Sequence, residues 1–501
     1  MVEAGTMICP VRTAARERPG SIALRSDART WTWREYDDAV GRRGEDLRRA
    51  GIGAGARIAV LAANSADQAA LVFAALRRGA VLAPLNLRRG ERHWRRCLEL
   101  LAPDLLCVDA AHGGLVAGSV RGVLEIGRAA AKGHGAPGAG DAALALAREA
   151  TVVFTSGSGG APKGVVLTTA NHVAAASAAN ANLPLAAQDC WLADLPFCHV
   201  GGLAILFRSA LAGSAVLVRD GFAPGATLDG IAAGAVSILS CVPEMLRSLL
   251  AADPQARVLS RAKAILLGGE APDPQLLELC RRLAVPVLPT YGMTEASSQI
   301  CTAAPGEFDG GARASARPLP GMQVRVVDGN GREAAAGAGG EITIRGPAVF
   351  SRYLGGEAAA ARDADGWFHT GDLGRFDGEG RLELLGRLDA TFISGGENIS
   401  PAEIESVARR CAAVDDCAVI AAPSRRWGRR PVLYAAPAEI ERAELRDWLA
   451  ARLPKLLMPD DIIVVEELPR LALGKIDRRA LLETYLASQE AQPDPPDNSR
   501  R

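Results

Sequence analysis

Four stretches of the 501-residue chain combine residue types suited to binding anions, nucleosides and metal ions. Residues 151–164, TVVFTSGSGGAPKG, run from an apolar segment into a loop of Gly, Ser and Thr that Lys163 closes. Glycine lets successive backbone N–H groups converge on one anion, the hydroxyls add donors, and the ammonium adds charge. That chemistry is a phosphate cradle, though not a Walker A loop, since no Gly-Lys-Ser/Thr ends it. Taken alone, the stretch is equally a flexible turn after a strand. Residues 289–302, PTYGMTEASSQICT, are expected to leave a strand near Thr290. Tyr291, Thr294 and Glu295 then fall at the carboxyl end of that strand, where open α/β sheets bind ligands. The ring of Tyr291 offers a face to a base, and a hydroxyl beside a carboxylate suits phosphate contact and Mg²⁺ coordination. A loop with a capping Thr is the plain alternative.

The third stretch, residues 366–401 (GWFHTGDLGRFDGEGRLELLGRLDATFISGGENISP), sets Asp372 in a Gly-rich turn, as a short carboxylate fit for a ribose diol. Arg387 follows a β-like run, and the composition changes at Asp389. The fourth, residues 468–479 (LPRLALGKIDRR), delivers Lys475 on a Gly-hinged loop; otherwise it is an ordinary surface lysine. Only five lysines (Lys132, Lys163, Lys263, Lys455 and Lys475) stand among 57 Lys+Arg. Where cations are nearly all Arg, a retained lysine points to a slot that only a compact ammonium fits. Lys163 and Lys475 lie in these stretches.

The elements that must position these residues follow from the apolar pattern. Residues 56–64 (ARIAVLAAN) read as a buried strand, 65–79 as a helix and 80–86 as a second strand, the spacing of a parallel α/β layer. Helices and strands alternate again from 170 to about 300, with SAVLV, AVSILS, AKAILLGG and VPVLPTYG as strands. Between 318 and 388, short runs (MQVRVVD, GEITIRG, GRLELLGR) separated by Gly and Asp predict a small antiparallel β section. The Ala/Gly-rich residues 128–143 predict a mobile loop, and the polar, Pro-rich residues 490–501 a disordered tail. The expected fold class is α/β. A large N-terminal domain, residues 1–388, holds the α/β layers and the β section, and a smaller mobile α+β domain spans 389–489.

Composition narrows the function. Acids and bases tie at 57 each, so no net field draws the chain to nucleic acid or an anionic membrane. No apolar stretch reaches the roughly 18–20 residues of a spanning helix, and the N-terminus lacks the pattern of a signal peptide. Ten scattered cysteines with no CxxC predict buried, reduced thiols in a cytoplasmic protein.

In their order and spacing the four stretches resemble the adenylate-forming superfamily of acyl-CoA synthetases, luciferases and carrier-loading adenylation domains. The resemblance runs from about residue 22 to 487. It implies ATP, Mg²⁺ and CoA as cofactor and co-substrates, a small carboxylic acid as partner, and commonly a homodimer. Thr155, Ser156, Gly157, Ser158 and Lys163 would cradle the β- and γ-phosphates. Gly268, Gly269 and Glu270 would border the adenine pocket, with Tyr291, followed by Gly292, stacking on the base. Thr294 would touch the α-phosphate, Glu295 hold Mg²⁺, Asp372 bind the ribose and Arg387 reach ribose or phosphate. Lys475 would bridge the attacking carboxylate and the α-phosphate. Asp389 would be the hinge about which the C-terminal domain rotates to bring Gly395, Gly396 and Glu397 to the thiol tunnel. One departure is Gly159, which stands where the family usually has Thr; weaker ATP binding is expected from the lost hydroxyl.

The acid pocket is expected among residues 195–209, LPFCHVGGLAILFRS. His199 and Arg208 flank an apolar run there, and an Arg in such a setting either meets a carboxylate or snorkels to the surface. LPFCHVGGLAILFR, TYGMTEASSQICT and ISGGENISPAEIE look most like the o-succinylbenzoate–CoA ligases of menaquinone biosynthesis. That resemblance implies an aromatic dicarboxylate whose ring carboxylate is met by Arg208 beside Ser298 and Gln299, with His199 walling the pocket near the reacting acyl group. Gly201 stands where a small hydroxyl residue is often found. The alternatives are a CoA ligase for another aryl or medium-chain acid, or a stand-alone enzyme that loads a carrier protein.

Overall fold

A computed structural model describes residues 5–27, 29–112, 122–126, 143–156, 162–269, 274–307, 315–355, 362–388, 392–394, 397–424, 427–436, 440–470 and 476–490. Residues 128–142 of the expected mobile loop, the hinge Asp389 and residues 491–501 of the expected tail lie outside them.

The expected strand–helix–strand unit is present as strand Arg57–Leu61, helix Ala66–Arg78 and strand Val81–Pro84, the two strands parallel with Arg57 opposite Val81. Ser65 caps the helix by accepting from the Gln68 N–H, and Gly79 ends it at φ 66°, a conformation that glycine adopts without strain. Helices cover both faces of such a sheet, so its strands are buried along their whole length and read as unbroken apolar runs. The full sheet has seven strands, and towards one edge the hairpin of Glu149–Ser156 and Pro162–Thr168 is antiparallel, with the short strand Arg352–Tyr353 outermost. Register places Lys163 opposite Thr155. The sequence reading put Lys163 at the end of a loop; strand pairing takes it into the return strand.

A second sheet of eight strands contains the other expected runs, Ala215–Val218, Ile238–Cys241, Ala264–Leu267 and Val287–Met293, together with Cys190–Ala193, which was not anticipated, all parallel. The last of these does not stop near Thr290. Its parallel pairing ends at Pro289, and Thr290–Met293 then pairs antiparallel with Ser298–Thr302 across the 3₁₀ turn Thr294–Ala296. Backbone groups freed at the sheet end thus find new partners.

The expected antiparallel section is a five-stranded sheet in the order Ser315–Ala316, Leu382–Arg387, Phe368–Phe376, Gly340–Arg345, Gln323–Val327. Asp372 lies inside its strand Phe368–Phe376 rather than in a turn, directly opposite Arg387. Beyond residue 391 a separate five-stranded sheet, with helices Pro401–Ala408 and Arg442–Ala450, encloses its own apolar clusters. The helix Arg478–Glu490 was not anticipated; it buries Leu481, whose carbonyl accepts from the Tyr434 hydroxyl at 3.2 Å. All ten cysteines are free and buried. Among the described residues no helix is long and apolar enough to cross a membrane.

Candidate active site

The carboxyl ends of the second sheet meet the antiparallel section, and most of the nucleotide-side residues predicted from the sequence converge there. Gly268 and Gly269 follow strand Ala264–Leu267. A Cβ on Gly268 would stand 3.0 Å from the Thr290 carbonyl, and Gly269 takes φ +87° against Val242, so both keep this edge thin. The Tyr291 hydroxyl donates to Asp372 Oδ2 at 2.7 Å, and Arg387 Nη1 donates to Asp372 Oδ1 at 2.9 Å. One carboxylate therefore pins both the ring and the guanidinium.

Glu295 Oε1 accepts from the Tyr353 hydroxyl at 2.9 Å. Burial pushes the Glu295 carboxyl above the ordinary range, with the charge of Asp372 adding to the shift and the Tyr353 hydrogen bond opposing it. Lys163 Nζ stands 5.6 Å from the centre of the Tyr353 ring, within cation–π range. Hairpin lysine, tyrosine and carboxylate are thus connected in one line. Among the described residues no cluster of three His, Cys, Asp or Glu side chains is set to enclose a metal. The half-buried Glu295 carboxylate, in line with Tyr353 and Lys163, fits Mg²⁺, which takes one or two carboxylates and completes its shell with phosphate oxygens and water.

Of the residues expected at the acid pocket, His199 is the residue before helix Val200–Ala212, and Arg208 lies within that helix. Gly201, Ala204 and Arg208, three and four residues apart, share one helix face over about 10 Å. Arg208 is 2% exposed, and its Nη2 donates to Ser298 Oγ at 2.9 Å. Its guanidinium carbon lies 5.3 Å from the Trp191 ring centre, and its Nε has no partner. Among the described residues no carboxylate forms an ion pair with it, and burial lowers its pKa to about 10. It does not snorkel to the surface.

Ser297 and Ser298 have φ 54° and 116°, positions that cost non-glycine residues strain. Gly292 lies under them, and a Cβ there would collide with the Ser298 carbonyl. Gln299, opposite Gly292, is buried beside Ser298. Gly157, Ser158, Glu270, Gly396 and Lys475 lie outside the described residues, and Ser156 is placed only as the last residue of its strand.

Two adjacent glycines near His199 differ sharply. A Cβ on Gly201 would make ordinary contact with Leu195 Cδ1 at 3.7 Å, but one on Gly202 would collide with the Leu195 carbonyl and reach 2.6 Å from that of Pro196. Gly202→Ala is therefore expected to destabilise by about 1–3 kcal/mol and Gly201→Ser by under about 0.5 kcal/mol, readable in urea unfolding. Asp194, 4% exposed just after strand Cys190–Ala193, has its Oδ1 unpartnered, and burial raises its carboxyl to about 7 from 3.8. The folded state thus holds this proton more tightly than the unfolded one, a contribution complete below 3.8 and lost as pH rises to about 7. Asp194→Asn is expected to melt a few °C (about 2–4 °C per kcal/mol) above the parent at pH 8 and to lose that advantage in acid.

Residues 11–354 match the AMP-binding enzyme family, and residues 403–475 match the AMP-binding enzyme C-terminal domain. The chain belongs to the AMP-binding enzyme family. The 2-succinylbenzoate–CoA ligase of Geobacillus kaustophilus is 34% identical to this AMP-binding enzyme over 473 residues, 92% of this chain and 95% of that one. That of Enterococcus faecalis is 35% identical over 337 residues, 66% of this chain and 69% of its own. The o-succinylbenzoate CoA synthetase of Bacillus subtilis, solved with its acyl-adenylate intermediate, superposes with a TM-score of 0.84 at 32% identity, covering 95% of this chain and 98% of that one. Its complex with ATP and magnesium ion gives 0.85, at 95% and 100% coverage.

Three residues of this AMP-binding enzyme's site escaped the sequence reading. Tyr353 is 58 residues from Glu295. Asn64 and Asn86 lie more than 100 residues from the His199 loop that they touch. None sits in a Gly-rich or periodic pattern; a polar residue just past a parallel strand is the one signal that Asn64 and Asn86 offered.

Proposed function

We propose that this AMP-binding enzyme joins o-succinylbenzoate to CoA with ATP, forming acyl-CoA, AMP and diphosphate through an acyl-adenylate, in menaquinone biosynthesis. The observation that carries the choice of acid is Arg208. A buried guanidinium with a hydroxyl and a ring for company, but no carboxylate, has lost its hydration without regaining a counter-charge. A dicarboxylic acid supplies one. Arg208 lies on the same helix face as Gly201, about 10 Å further along, so an acid whose activated carboxylate sits near His199 would place its second carboxylate near Arg208 and Ser298. A monocarboxylic acid offers nothing to that cation.

The chemistry joins two anions in the first half-reaction, so positioning and charge neutralisation dominate. Asp372 would accept the ribose hydroxyls while holding Tyr291 against the base. Thr155 and Lys163, side by side on the phosphate hairpin, would meet the β- and γ-phosphates. Glu295, steadied by Tyr353, would hold Mg²⁺, which when bound supplies positive charge to the phosphate oxygens. Lys475 would span the attacking carboxylate and the α-phosphate. Rotation of the C-terminal domain about Asp389 would then withdraw Lys475 and admit the CoA thiol, which attacks the acyl carbon and expels AMP. We place the enzyme in the cytoplasm as a homodimer, readable from its hydrodynamic mass.

The test is pyrophosphate release with ATP and Mg²⁺, comparing o-succinylbenzoate with benzoate, 4-phenylbutyrate and octanoate, with and without CoA. The expected result is strong preference for the dicarboxylate and a CoA thioester as product. Preference for a monocarboxylate would overturn the choice of acid, and transfer to a holo-carrier protein in place of CoA would overturn the choice of acceptor.

A further inference from the structure

The loop that carries His199 is held from the first sheet by two asparagines. Asn64, just past strand Arg57–Leu61, donates from Nδ2 to the Leu195 carbonyl at 2.8 Å and accepts at Oδ1 from the Phe197 N–H at 2.9 Å. Asn86, just past strand Val81–Pro84, reaches the imidazole itself, with Nδ2 3.3 Å from His199 Nε2. The two ends of an amide have nearly the same shape, so their assignment rests on what else they touch. At Asn86 that question is closed by its neighbours. Oδ1 lies 2.9 Å from the backbone N–H of Arg88, which can only donate, as Asn86 caps the short turn Leu87–Arg89. The Trp94 indole N–H donates to the Asn86 carbonyl at 2.7 Å and fixes the backbone. The oxygen must therefore face Arg88 and the amide nitrogen must face the imidazole. A donor facing Nε2 needs a lone pair there, and a neutral imidazole with its lone pair on Nε2 carries its proton on Nδ1.

We infer that Asn86 is a positioning residue that holds His199 neutral as the Nδ1–H tautomer, its Nε2 lone pair occupied by the Asn86 amide. This deepens the proposed function, on which the placing of His199 at the acid pocket rests; the tautomer does not depend on the identity of the acid. It bears on which groups do what. A carboxylate nucleophile needs no base, and the CoA thiol is the one reactant that must lose a proton. Nε2 of His199 is not available to take it. His199 acts through its ring face, as a wall beside the acyl group.

The experiment is ¹⁵N spectroscopy of the full chain labelled at histidine, without substrate, with His199 assigned by its loss in His199→Gln. The expected pattern at neutral pH is a protonated Nδ1 and an unprotonated Nε2. A protonated Nε2, whether as the other tautomer or as imidazolium, would overturn the inference. Asn86→Asp keeps an acceptor for the Arg88 N–H but replaces the donor facing His199 by an acceptor, and is expected to move the proton to Nε2. Adenylation should then slow about tenfold. An unchanged His199 pattern in Asn86→Asp would overturn the inference even if activity fell, and unshifted signals of His172 and His369 show that the variant is folded. Failure of the acid assignment would appear in the substrate panel and leave the tautomer as it is.

Discussion

Lys475→Ala is expected to slow acyl-adenylate formation by about 10²–10³-fold, while thioester formation from supplied acyl-adenylate and CoA falls by less than about threefold. The asymmetry follows from charge. In the first half-reaction a carboxylate must approach a phosphate that carries its own negative charge, and an ammonium touching both is worth most as the new bond forms. In the second, the nucleophile attacks an acyl carbon that is no longer anionic, and the C-terminal domain would have carried Lys475 away. Pyrophosphate release reads the first step and AMP release from supplied adenylate reads the second. Lys475→Arg is expected to restore little, because a guanidinium is planar and broad where the position calls for a point charge. Equal losses in both half-reactions would remove Lys475 from this role.

Arg208→Ala is expected to lower kcat/KM for o-succinylbenzoate by about 30- to 1,000-fold, or about 2–4 kcal/mol. Turnover of 4-phenylbutyrate, which lacks the second carboxylate, should change by less than about threefold. The size comes from burial: Arg208 is 2% exposed, so a carboxylate that reaches it is paired where water screens little. Its hydrogen bond to Ser298 Oγ aims the guanidinium, so Ser298→Ala should weaken the same preference by a smaller factor. A structural role is separable. Among the described residues no carboxylate is left unpaired by removing Arg208, so Arg208→Met, similar in length, is expected to hold or raise thermal stability. A large fall in Tm with an unchanged order of acids would make Arg208 a packing residue.

The strands and helices were legible where their cause is local. An apolar run of five to eight residues between Gly or Asp signals announces a strand whatever its neighbours are, and strand Arg57–Leu61 with helix Ala66–Arg78 lies where the pattern predicts. Two misreadings share one origin. Gly-Asp steps around Asp372 read as a turn and Pro289–Thr290 as a strand end, because local propensity favours both. In the protein, pairing with Leu382–Arg387 and with Ser298–Thr302 extends the chain through both places. Cross-strand partners override local preference wherever a ladder is available.

What the sequence determined by itself was an inventory: a hydroxyl- and glycine-rich loop with a lysine, a Tyr–Thr–Glu run, an Asp and an Arg near one β section, a late lysine, and an arginine at the end of an apolar run. Residue type and short spacing suffice for that, because they state which protons, charges and hydroxyls are present. Tertiary structure alone decided which of them meet. Tyr291 and Asp372 are 81 residues apart, Arg208 and Ser298 are 90, and Asn86 and His199 are 113. Those pairings depend on sheet order and strand register, set by how whole layers pack, and no pattern within a few residues of either partner encodes them.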